Sequence, residues 1–159
     1  AISQSLTDSF SVQVRGTGPG VVLVEAYDVT GGVSPRLINV SARNQVGTGA
    51  DILIAGLNIT GTGTKQVLIR AVGPTLGAFG VAGTLVDPKL EIFDKDNKSV
   101  GSNDNWAATL VPTFTQVGAF QLTAGSKDAA LLVTLNAGTS YTVQVAGADG
   151  GTGEALIEV

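Results

Sequence analysis

The chain has 159 residues, 43% hydrophobic and only 14% charged, with net charge −4, 22 glycines, no cysteine and no histidine. That is long and apolar enough for one core-forming domain, alone or with an extension, and it excludes a disordered tail, disulfides, thiolate metal sites, Ser–His–Asp triads and Cys–His dyads. Nine scattered basic residues at pI about 4.6 offer no cationic stripe to nucleic acid, and no apolar run approaches the ~18–20 residues that span a bilayer.

Residues 1–8 (AISQSLTD) read as a polar lead. The sequence contains no methionine and starts at Ala1, so removal of N-terminal residues is expected. Initiator-methionine excision would explain this, and the small, polar start Ala1-Ile2-Ser3-Gln4-Ser5 also suits signal-peptide cleavage and an extracellular or cell-surface location.

From Ser9 the chain reads SFSVQVRGTGPGVVLVEAYD, two β-type runs at about 10–15 and 21–27 around Gly-rich residues, the pattern of an antiparallel hairpin. A breaker cluster, Thr30 to Pro35, then marks a linker, dividing the chain into a leader and hairpin (1–32) and a body (33–159). In the body, strands are expected at 36–42, 51–59, 65–72, 89–94, 119–123, 129–135, 141–146 and 154–159. Turn signals such as GTGTK (61–65) and LNAGTS (135–140) separate them. This cadence predicts an all-β sandwich of jelly-roll or Greek-key type. The mostly apolar ILIAGLNI and QVLIRAV suit central strands covered on both faces, whereas YTVQV alternates and suits half-exposure. Gly73 to Gly80 is a Gly/Pro loop carrying buried-type residues, and WAATLVPTFTQVG (106–118) has room for one helical turn before Pro112.

The last two strands with their Gly-rich connection repeat the leader. Val12-Gln13-Val14 returns as Val143-Gln144-Val145, an offset of 143 − 12 = 131, and Leu23-Val24-Glu25 matches Leu156-Ile157-Glu158 at 156 − 23 = 133. Both copies are expected as hairpins.

The string RLINVSAR…VLIRAVGPTLGAFGV…DPKLEIFD…NDNWA…GSKDAALLVTL…YTVQV…GEALIEV resembles a tandem β-repeat family of secreted and cell-surface bacterial proteins, over 36–159. In that family the repeats often stand beside immunoglobulin-like modules. The second half is also similar to pre-peptidase C-terminal-type β-sandwiches. The resemblance implies an extracellular module with little biochemistry attached, and makes the leader similar to the end of a preceding repeat.

Side chains able to carry chemistry are few. Gly125-Ser126-Lys127-Asp128 contains the elements of a Ser–Lys mechanism but also reads as a polar turn. GTGTK and GADGGTG lack the lysine spacing and following helix of a phosphate loop and are expected to be hairpin turns. The best oxygen-rich set is Asp94, Asp96, Asn103 and Asp104, candidate Ca²⁺ ligands or, alternatively, turn residues bonding their own backbone; the EF-hand Gly and distal Glu are missing. Trp106 either stacks on a sugar or caps the core with its N–H on a loop carbonyl. Tyr27 and Tyr141 read as packing residues. Arg36, Arg43 and Arg70 lie in or beside apolar strands and need carboxylate partners, for which Asp87 and Asp128 are candidates. Sequons at Asn39, Asn58 and Asn97 are expected by chance.

The expectation is a non-enzymatic structural subunit of an extracellular filament or cell-surface assembly. It polymerises with itself by strand complementation through Phe10, Val12, Val14, Val22, Val24 and Tyr27. The alternatives are a carbohydrate-binding or adhesin module with a surface polysaccharide as partner, and a non-catalytic accessory domain of a larger secreted protein.

Overall fold

The computed structural model describes residue 5 and residues 8–18, 20–29 and 38–159, and divides the chain into two units, 1–36 and 37–159. The linker expected at Thr30 to Pro35, and Arg36, lie outside the described residues.

The second unit is built from β1 (Ser41–Val46), β2 (Leu53–Ile59), β3 (Thr64–Val72), β4 (Pro88–Asp94), β5 (Ser99–Asn103), β6 (Ala129–Asn136), β7 (Thr139–Gly147) and β8 (Gly153–Glu158). A 3₁₀ helix (Pro74–Phe79) follows β3, and a 3₁₀ turn (Ala108–Leu110) leads into helix α1 (Val111–Val117). The strands form two antiparallel four-stranded sheets, ordered β1-β8-β3-β6 and β2-β7-β4-β5. This is the expected sandwich in its jelly-roll form. This unit is a long hairpin with rungs β1·β8, β2·β7, β3·β6 and β4·β5, rolled so that β8 also meets β3 and β7 also meets β4.

Only β4 and β5 are joined within one sheet, by the turn after Asp94, where Asn97 takes the left-handed conformation that Asn tolerates. Every other connection crosses between sheets. The expectation that GTGTK and GADGGTG form hairpin turns is therefore corrected, and so is the expected hairpin over 141–159. A Gly-rich reversal is compatible with either a hairpin or a crossing, and partner availability decides. Strand β7 pairs with β2 and β4, while β8 pairs with β1 and β3. Two glycines make this crossing fit: a Cβ on Gly147 would run into the Gly151 carbonyl, and one on Gly153 would lie 2.5 Å from the Leu85 nitrogen.

Other differences have local causes. The first body strand starts at Ser41, the described residues 38–40 of the expected strand lying before it, and Val40 and Val159 exchange backbone hydrogen bonds at 3.0 Å. Residues 119–123 form no strand, and the fourth place in the second sheet belongs to β5. That strand, SVGSN, lacks apolar alternation. Gly101 lets it approach closely, since a Cβ there would stand 2.9 Å from Leu131 Cδ2. Strand β2, expected to be central, is an edge strand whose residues alternate in burial. The helical turn expected before Pro112 is the 3₁₀ turn Ala108–Leu110; helix α1 (Val111–Val117) follows it with Pro112 in its first turn, where a missing N–H costs nothing.

The core lies in two places. Val46, Ile69, Ala71, Leu90, Ile92, Val143, Val145, Ala155 and Ile157 fill the space between the sheets. A second cluster of Val72, Leu76, Phe114, Leu122 and Ala130, with Trp106, Phe120 and Leu156 against it, forms where the 3₁₀ helix, α1 and residues 119–122 cover the outer face of the first sheet. Strand β3 is thus buried on both faces at its C-terminal end, as its apolar run predicts: Ile69 and Ala71 face inward, Leu68 and Val72 outward.

In the first unit none of the described residues lies in a strand or helix, and all are exposed. Residues 10–15 and 21–27, expected to form a hairpin, carry no strand assignment.

Candidate functional site

The site is built from two copies of one sequence pattern in different surroundings. In the body, β7 directs Tyr141, Val143 and Val145 into the space between the sheets, and β8 directs Ala155 and Ile157 there. The Tyr141 hydroxyl accepts the backbone N–H of Asn136 at 3.0 Å. The opposite face of β8 carries Leu156 to the second cluster and Glu158 to Arg70, its register partner on β3.

Arg70 is 1% exposed, yet every part of its guanidinium is used. Its Nε donates to Glu158 Oε2 at 2.8 Å, Nη2 donates to the same oxygen, and Nη1 donates to the Phe120 carbonyl. The rings of Phe114 and Phe120 lie 5.0 and 4.2 Å from its central carbon. A buried cation without its counter-charge would cost several kcal/mol, so Glu158 is what permits Arg70 at this position. The pair ties the last residues of the body to β3 and to the segment packed over the first sheet.

This corrects the expected pairings of Arg70 with Asp87 or Asp128. Asp128 is buried and accepts the backbone N–H groups of Gly73 (2.8 Å) and Thr75 (3.3 Å) and the hydroxyls of Thr75 and Ser126. It pins the Gly73 to Gly80 loop over the sandwich. Asp87 pairs with Lys127, and this bond is the main cause that holds the Lys127 ammonium above its ordinary pKa. Arg43 approaches Glu154 at 3.9 Å on the surface. Sequence proximity to strand ends was a poor guide because a counter-ion must share a face and a register with its partner. The overlooked residue was Glu158; its signal was the recurrence of Glu25 at the same place in the leader copy.

Aligned on the two offsets, the leader copies this machinery closely. Phe10, Val12, Val14 and Gly16 stand where β7 has Tyr141, Val143, Val145 and Gly147. Gly20, Val22, Leu23, Val24 and Glu25 stand where β8 has Gly153, Ala155, Leu156, Ile157 and Glu158. The six residues expected at a subunit interface, Phe10, Val12, Val14, Val22, Val24 and Tyr27, are 55–78% exposed. Tyr27, expected to pack, is exposed as well and donates its hydroxyl to Glu25 at 2.8 Å, a bond that raises its pKa first among other causes. Tyr141 does pack in the core.

The remaining candidates are engaged elsewhere. Asp94 Oδ1 accepts the backbone N–H groups of Asp96 (2.9 Å) and Lys98 (3.0 Å), a turn arrangement in which the Lys98 hydrogen bond is the main cause holding its carboxyl below the usual range. Asp96 pairs with Lys95, and Asn103 spans Ala130 N–H (2.9 Å) and the Asn105 carbonyl (3.0 Å). Asp104 is exposed. Among the described residues no three His, Cys, Asp or Glu side chains are grouped as metal ligands. Trp106 is half-buried against Phe114, ring centroids 5.7 Å apart, and its indole N–H meets the Ser126 hydroxyl at 3.1 Å rather than a carbonyl. Ser126 and Lys127 bond to different carboxylates. Among the described residues no helix is long and apolar enough to cross a membrane.

Comparison with protein-family models, with curated proteins and with solved structures gave no match.

Proposed function

We propose that this chain is a non-catalytic structural subunit of an extracellular filament or cell-surface assembly, its bodies joined head to tail by strands that the leader of one supplies to its neighbour. The observation that carries this is the leader itself: two strand patterns with the inward residues of β7 and β8, left exposed at Phe10, Val12, Val14, Val22 and Val24. Apolar residues arrayed in this way in water mark a surface awaiting a partner. A segment whose described residues lie in no strand is equipped for β-augmentation. Contacts between a leader and a different body do not close on themselves, so they propagate into fibres. A low content of charged residues suits close lateral packing of such bodies.

The test is negative-stain electron microscopy with sedimentation of the full chain beside its Val12→Asp and Val24→Asp variants. Filaments or large species are expected from the parent and monomers from the variants. A parent that stays monomeric at every concentration would refute the proposal.

The second reading, a non-catalytic accessory module of a larger secreted protein, draws on the same repeat, because a pair of closing strands suits a second sandwich in the same chain. The binding-module alternative draws no comparable support from Trp106, whose indole is packed on Phe114 and bonded to Ser126.

A further inference from the structure

Among the described residues the sandwich has four edge strands, β1 and β6 of one sheet and β2 and β5 of the other, and each could take an added strand. The leader is poorly matched to all of them. An edge accepts one strand, whereas the leader carries two, patterned for two different sheets. An edge does not require glycine, yet the leader has Gly16 and Gly20 where β7 and β8 have Gly147 and Gly153, the positions without room for a Cβ in the crossing. Glu25 stands at the place of the one carboxylate that the buried Arg70 requires.

We infer that the leader is a closing strand pair, and that its acceptor is the β7/β8 slot of a second copy of this chain while that slot is open, with Glu25 on Arg70 of that copy. The inference rests on the proposed assembly and names the surface it would use. Residue by residue the fit is close. Val12, Val14, Leu23 and Glu25 are identical to their counterparts, Phe10 lacks the Tyr141 hydroxyl, Val24 is one methylene smaller than Ile157, and Val22 is larger than Ala155. Three residues, 17–19, replace the five of 148–152, enough at about 3.3 Å each to cross the ~10 Å between packed sheets. Displacing a resident pair gains nothing, because one pair is left exposed either way. The leader therefore enters a body whose own β7 and β8 have not yet closed, a condition met during folding, since they are the last strands of the body.

The experiment opens the slot in the full chain. Val24→Asp and Ile157→Asp together disable the chain's own leader and its own β8, and a synthetic peptide of residues 8–29 is then added. The chain has a single tryptophan, Trp106, against Phe114 beside the Arg70 cluster, and the peptide has none, so Trp106 fluorescence reports the acceptor alone. Expected are a saturable Trp106 change, a regained cooperative melt, and at least about a hundredfold weaker binding of a Glu25→Gln peptide, which leaves the buried Arg70 without its counter-charge. An acceptor that does not fold alone does not spoil the test, since rescue by the peptide is the readout. No rescue, or equal binding to the parent chain with its slot filled, overturns the inference. Filaments of the parent without rescue would leave the assembly standing and place its joint at an edge. Rescue without filaments would keep the slot and discard the assembly.

Discussion

Residues 10–25 and residues 141–158 share one pattern and have opposite fates. In the closing strands Val143, Val145 and Ile157 are buried at 0–2% exposure and Glu158 neutralises a buried arginine; in the leader Val12, Val14, Val24 and Glu25 are exposed. A β-pattern is not itself stabilising. Its apolar face contributes ~25 cal/mol per Å² only where a second surface removes it from water, and its backbone groups gain nothing over water until a ladder exists. The comparison shows what β1 to β6 supply: two neighbours for each closing strand, an inner face of apolar side chains, and one cation.

Substitutions at matched positions break the comparison most sharply where the context is most demanding. Glu158→Gln removes the counter-charge of Arg70 and should lower stability by about 3–5 kcal/mol in urea or guanidinium unfolding, whereas Glu25→Gln should change it by no more than ~0.5 kcal/mol. Equal effects would mean that the leader is packed as β8 is. Gly153→Ala forces a Cβ against the Leu85 backbone and should cost about 1–3 kcal/mol, while Gly20→Ala should leave the melting curve of the body in place. Tyr141→Phe, which gives the closing strand the leader's own residue, forfeits the hydroxyl that accepts the Asn136 N–H and should cost about 1 kcal/mol.

The smallest effect belongs to a control outside both copies. The Asp94 carboxyl is held below its ordinary pKa chiefly by the Lys98 N–H, so the turn it stabilises is fully supported above the unfolded-state value. That support is lost as pH falls through the lower folded-state value. Acid titration followed by NMR of the Asp96 and Lys98 amides should show it, identically with or without the leader substitutions. Asp94→Asn, which keeps the accepting oxygen, should abolish the pH dependence but retain the turn.

Much of the body was legible because a strand with one buried face must alternate, and one with two must be apolar throughout. YTVQV and KLEIFD announced themselves in that way, and QVLIRAV announced a strand covered on both sides. SVGSN did not, since an exposed edge strand has no apolar period to display. The apolar residues of AFQLT invited a strand, but Leu122 and Phe120 serve the outer cluster from an irregular segment instead. Of the candidate site, the leader residues were legible as a repeat of the closing strands. The meaning of the Glu25–Glu158 correspondence was not, because it depends on Arg70 lying opposite Glu158 across β3 and β8.

By itself, then, the sequence determined the all-β character, most strand positions, the absence of His- and Cys-based chemistry and the duplicated pattern. These follow from local periodicity, turn formers and composition. Only the tertiary structure decided that the closing pair is a crossing between sheets rather than a hairpin, that its glutamate meets a buried arginine, and that the same pattern stays exposed in the leader. Each of these depends on which distant segment is free to pair. In a jelly roll every rung but the innermost joins strands far apart in the chain, so no local window of residues contains the answer.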